Sequence, residues 1–83
     1  MKKTRTARAR NCIGPRVREA RLRMKPPLNQ DDLAGRLAAK GVILDRSAVS
    51  RIESQDRYVM DFEAAALAEC LHVSVAWLFG DED

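Results

Sequence analysis

The apolar residues of this chain recur at helical spacing in short runs, separated by residues that start or stop helices. Ile13, Val17, Ala20 and Met24 make the first stripe, with Pro15 suited to its first turn and Pro26 and Pro27 ending it. Asn29 is a good N-cap for a second helix that buries Leu33, Ala34, Leu37 and Ala38, and Asp31 and Asp32 suit its positive end. Gly41 is the natural stop, and Val42, Ile43 and Leu44 follow as a short apolar turn expected to tuck at least partly inward. Asp45 caps a third helix that runs to Glu53. Asp61 opens a fourth, whose apolar surface comes from Phe62, Ala65, Ala66, Leu67, Ala68, Cys70 and Leu71. Ser74 caps a last short helix with Val75, Trp77, Leu78 and Phe79, ended by Gly80. Twelve alanines and only 5% aromatic residues fit short, closely packed helices better than a sheet core. The expectation is an all-α domain of five helices over 12–80, between a flexible basic arm over 1–11 and an acidic tail over 81–83.

Charge is distributed unevenly. Residues 1–25 hold ten Lys and Arg against the one acid Glu19, whereas residues 58–83 hold six acids and no Lys or Arg. Arg16, Arg18, Arg21 and Arg23 crowd the first helix, more like charge than an ordinary solvated helix carries unrelieved. A polyanion facing the basic end is the expectation, because neutralising phosphates is the sequence-independent part of DNA affinity. The arm itself would track phosphates or enter a minor groove, or else be a solvated extension.

In the third helix Ala48, Val49 and Ile52 form an inner face, while Arg46, Ser47, Ser50, Arg51 and Ser54 fall together on the outer one. Short polar side chains beside a few long donors are what a helix needs to enter the major groove. A merely solvated face would look the same from periodicity alone.

Three strings carry a resemblance: Leu28-Asn29-Gln30-Asp31-Asp32-Leu33-Ala34, Ser47-Ala48-Val49-Ser50-Arg51-Ile52-Glu53, and the run from Leu67 to Leu78. Over residues 13–80 the chain resembles the phage repressor and Cro type (XRE) family of helix-turn-helix DNA-binding domains. That resemblance implies a five-helix lambda-repressor-like fold. It makes Gln30 a DNA contact, Asn29 a cap that also touches phosphate, and Arg46, Ser47, Ser50 and Arg51 the base-facing set. It directs Arg57 at the phosphate backbone and pairs Arg21 with Glu53 as a structural ion pair between the first and third helices. Within this division Arg46 and Arg51 read bases, whereas Gln30 and Arg57 mainly hold the backbone. The chain departs from the family between Leu37 and Ser47, which is roughly five residues longer than the usual pattern. It also has Gln55 where Gly is frequent and Met60 where a capping residue is common, leaving that cap to Asp61.

The function so implied is a sequence-specific transcriptional regulator, a repressor by type, working in the cytoplasm as a homodimer on a palindromic DNA site. One module of this size offers few base contacts. Val75, Trp77 and Phe79 supply the expected dimer contact, with intramolecular core as their alternative place. The second reading is a module that binds a partner protein, as an antitoxin binds its toxin, with the same fold. No acid-base, nucleophilic or metal set stands out, so neither enzyme activity nor a cofactor is expected; Cys70 and His72 alone lack further ligands at metal spacing.

Overall fold

The computed structural model describes residues 9–81 as five helices, with no strand among the described residues. They are α1 (Gly14–Arg23), α2 (Gln30–Ala39), α3 (Arg46–Glu53), α4 (Asp61–Leu71) and α5 (Val75–Leu78). The particle measures 34 × 24 × 20 Å. Residues 1–8, most of the expected arm, and 82–83 of the tail lie outside the described residues.

Local chemistry explains where each helix starts. Asn29 and Asp32 form a reciprocal capping box, with Asp32 N donating to Asn29 Oδ1 at 2.7 Å and Asn29 N to Asp32 Oδ2 at 3.1 Å. Asp45 accepts from Ala48 N at 2.8 Å and Ser74 Oγ from Trp77 N at 2.9 Å. The start of α4 differs from expectation. Asp61 is its first helical residue rather than its cap, and Glu63 instead reaches back to accept the Met60 N–H at 2.9 Å. Methionine offers no cap oxygen, so the box keeps only this half.

The ends share one device. In α2, Gly41 turns left-handed at φ +83°, its N–H donates to Ala38 O, and Val42 N donates to Leu37 O. The same pair of bonds closes α3 around Gln55, at φ +65°. A side chain in that conformation costs about 1 kcal/mol relative to glycine. Gln55 offsets this with a bond from its Nε2 to Asn11 O at 2.9 Å. The left-handed turn at the end of α3 thus forms without a glycine.

The core gathers Ile13, Val17, Leu33, Leu37, Val49, Ile52, Leu67 and Leu78, all fully buried. Several expected core positions are not in it. Ala38, Ala65 and Phe62 are exposed, because each lies round its helix from the buried Leu33–Leu37 or Leu67–Leu71 stripe. In the turn before α3, Leu44 is buried and Val42 half-buried, while Ile43 is 79% exposed. Three consecutive apolar residues in an extended turn cannot all face one side.

Residues 10 and 11 belong to the domain, which corrects the arm's boundary at 11. Arg10 N donates to Gln55 O at 3.0 Å, and the Arg10 guanidinium stands over the Tyr58 ring at 5.6 Å. Asn11 ties the start of α1 to the end of α3 and the loop after it. Its Oδ1 accepts from Ile13 N and Gly14 N, and its Nδ2 donates to Ile52 O at 3.1 Å and Arg57 O at 2.8 Å. Gly14 is required here, since a Cβ would collide with Ile52 O and stand 2.9 Å from Glu53 O.

Candidate nucleic-acid interface

α3 is an eight-residue helix, too short to hold its shape alone, so its surface depends on what anchors its inner side. Val49 and Ile52 are fully buried and Ala48 half-buried against α1 and α2. Arg46, Ser47, Ser50, Arg51 and Ser54 are all exposed, the division that the helical period requires. Among the described residues the side chains of Arg46, Ser47, Ser50 and Arg51 make no hydrogen bond or ion pair. Two guanidinium groups and two hydroxyls therefore stand on one open face.

The C-terminal end of α3 is clamped by charge. Arg21 grips Glu53 with two bonds, Nε to Oε2 at 2.7 Å and Nη2 to Oε1 at 2.9 Å, while its Nη1 donates to Leu28 O at 2.8 Å. The two side chains are only 8% and 4% exposed. The hydrogen bonds from Arg21 to Glu53 raise the Arg21 pKa, burial opposes this, and the Glu53 charge adds to the rise. The pair expected from the resemblance is present and buried.

Gln30 joins that clamp. Its Nε2 donates to Glu53 Oε1 at 3.1 Å. Asn29 Oδ1 caps α2, and its Nδ2 has no partner among the described residues. Asn29, Gln30, Asp31 and Arg46, with Arg21 at the back, line an open cleft of about 410 Å³ between the start of α2 and α3.

Arg57, expected to point at phosphate, is occupied in the folded chain. Its Nη1 donates to Glu63 Oε1 and to Tyr58 O, each at 3.0 Å, and its Nη2 to Glu63 Oε2 at 3.4 Å. Burial would raise the Glu63 pKa, but the bonds from Arg57 and Met60 N, with the Arg57 charge, bring it below the usual value.

The arginines of α1 do not form one phosphate-facing stripe. Arg21 is buried, and Arg16 and Arg23 stand over the Trp77 ring at 4.3 and 5.5 Å. Arg23 also pairs with Glu19, leaving Arg18 as the unpaired exposed arginine of that helix among the described residues. Trp77 is 6% exposed and belongs to the core, which removes it from the expected dimer surface. Val75 and Phe79 remain exposed, and Phe79 shares a mostly apolar cleft with Ile13, Val59, Met60 and Ala64, lined also by Arg10, Asn11 and Asp61.

Sequence reasoning missed the roles of Asn11 and Gly14 and the pairing of Glu63 with Arg57, which position the site rather than line it. The described residues contain no cluster of three metal-ligating side chains. Both cysteines are free, and burial, the largest influence on it, raises the Cys70 pKa. No described helix is long and apolar enough to cross a membrane. Compared with models of protein families, with curated proteins and with solved structures, the chain matches none.

Proposed function

We propose that the chain is a sequence-specific DNA-binding regulator that places α3 in the major groove. The observation that carries this reading is the face of α3: Arg46, Ser47, Ser50 and Arg51 exposed, and unpaired among the described residues, on a helix whose other side is anchored. Arginine donates its fork to guanine N7 and O6, and serine lets the backbone approach. Asn29 and Gln30 edge that surface from the start of α2. Arg57 shares its guanidinium with Glu63, so its contribution to phosphate binding is smaller than its charge suggests.

Two copies on a palindrome double the base contacts available to so small a module. The face for the second copy is the apolar one near the α4 start and chain end, where Met60 is 58% and Phe79 45% exposed. The same patch is what favours the second reading, a module that docks on a partner protein. A repressor acting by occupancy of its site, in the cytoplasm, follows from the first reading.

The test is selection of bound duplexes from a random pool, followed by titration of Arg51→Ala and Arg57→Ala against the best duplex, its single-base variants and random DNA. Arg51→Ala is expected to cost about 1–3 kcal/mol on the best duplex and to flatten preference at one or two positions. Arg57→Ala is expected to weaken all duplexes alike. Equal loss on best and random DNA for Arg51→Ala would remove α3 as the reader. Sedimentation of the wild type and Phe79→Asp on the best duplex then reads the stoichiometry. One copy bound by both overturns the dimer, and tight binding to a protein without any duplex preference favours the second reading.

A further inference from the structure

The cleft between α2 and α3 contains an arrangement that the general picture of a basic helix on DNA does not require. Glu53 is a buried carboxylate that accepts bonds from Arg21 and from Gln30 Nε2. An ionised carboxylate only accepts. The Gln30 amide is therefore locked with its nitrogen inward, since reversing it would set oxygen against oxygen. Its Oε1 is turned away from Glu53, as an acceptor of fixed orientation.

Of the five residues lining the cleft, Arg21 is committed to Glu53 and Leu28 O, while Asn29 commits its Oδ1 to the cap of α2 and keeps its Nδ2 as a donor. Asp31 contrasts with its neighbour Asp32, whose carboxylate takes the Asn29 N–H. Asp31 is exposed and, like Arg46, has no hydrogen-bond or ion-pair partner among the described residues. The Gln30 amide oxygen, the Asp31 carboxylate, the Arg46 guanidinium and the Asn29 Nδ2 donor thus share a single cleft.

We propose that Gln30 and Asp31 form an acceptor pair that receives the back of the Arg46 guanidinium and aims its front at a base edge, excluding phosphate from the cleft. The proposal rests on the reading of α3 as the DNA-contacting helix, and it makes Gln30 and Asp31 positioning residues for specificity rather than backbone contacts. Guanidinium has five N–H donors in a planar fork, enough to bond two acceptors behind and the guanine N7 and O6 in front. A phosphate entering the cleft would meet the Asp31 charge, whereas a guanine edge is neutral. Asp31 therefore weakens random binding more than it weakens correct binding.

The experiment titrates the full 83-residue chain and its Asp31→Asn, Gln30→Met, Arg46→Ala and Asp31→Asn/Arg46→Ala variants against the best selected duplex and a random one at two salt concentrations. Asp31→Asn is expected to bind random DNA several-fold more tightly and to lower the ratio of best to random affinity by about tenfold. Gln30→Met is expected to lower the same ratio. With Arg46 already removed, Asp31→Asn no longer changes the ratio. A general loss of folding would weaken both duplexes together and leave the ratio intact, so unfolding does not imitate the effect. An unchanged ratio in Asp31→Asn, or an equal change with and without Arg46, overturns the proposal while leaving α3 as reader. If selection yields no duplex preferred over random DNA, the reading of α3 fails first and this proposal with it.

Discussion

Removing the Glu53 carboxylate tests how the site is held. Three donors converge on it at 2.7, 2.9 and 3.1 Å, from Arg21 Nε, Arg21 Nη2 and Gln30 Nε2. In Glu53→Leu the Arg21 guanidinium stays buried with only Leu28 O as acceptor. An uncompensated charge in that position costs about 3–5 kcal/mol. Domains have about 5–15 kcal/mol of stability in total, so the single change removes a large share. Replacing both residues, as Arg21→Met with Glu53→Leu, removes the stranded charge, and the double variant is expected to be more stable than Glu53→Leu alone. Urea unfolding followed by helical circular dichroism, arranged as a double-mutant cycle, yields the coupling. Coupling above about 2 kcal/mol is the expected result. Additive single effects, each below about 0.5 kcal/mol, would show the pair to behave as an exposed one and refute the clamp.

Two further predictions concern the residues that position α3 and α4. Gly14→Ala exchanges glycine for the best helix former, normally a gain of about 1 kcal/mol, but the new methyl meets Ile52 O and Glu53 O, so a net loss of about 1–3 kcal/mol is expected in urea unfolding. Glu63 has a pKa below its unfolded value, so its contribution is complete above the ordinary carboxylate range and is lost as pH falls through the folded value. Glu63→Gln is expected to flatten the acid side of the stability profile while costing about 1 kcal/mol or less at pH 7, because Arg57 is partly solvated. Thermal unfolding between pH 3 and 7 measures both, and an acid slope equal to that of the wild type would argue against it.

What the sequence revealed was chiefly what is local. Asn29, Asp45, Ser74 and Gly41 act within four residues of themselves, so their roles follow from type and position. The face of α3 was legible for the same reason, as a matter of helical period. Asn11 was not, because the carbonyls it bonds belong to residues 52 and 57, brought near only by the fold. Ala38 and Ala65 misled because alanine suits either side of a helix. Arg16 and Arg23 read as charge in sequence and prove to be cover for Trp77. The candidate site is thus readable as a set of side chains, whereas its support is a set of long-range contacts.

That support is uneven along α3, and the unevenness bears on which arginine can discriminate. At the C-terminal end, Glu53 is bonded to α1 and α2, and the Ile52 carbonyl accepts from Asn11. The N-terminal end has the Asp45 cap, a bond within the helix itself, and the buried Leu44 before it. Arg51 lies two residues from the clamped Glu53, and Arg46 lies at the first helical position. A base-reading group loses affinity when its geometry shifts by as little as an ångström, so the clamped end is suited to rigid readout. Among the described residues no long-range hydrogen bond of that kind anchors the Arg46 end, which lines the cleft with Gln30 and Asp31. In the proposed reading, side-chain acceptors there substitute for the backbone anchoring that the other end receives, and Arg46 and Arg51 are proposed to reach precision by different means.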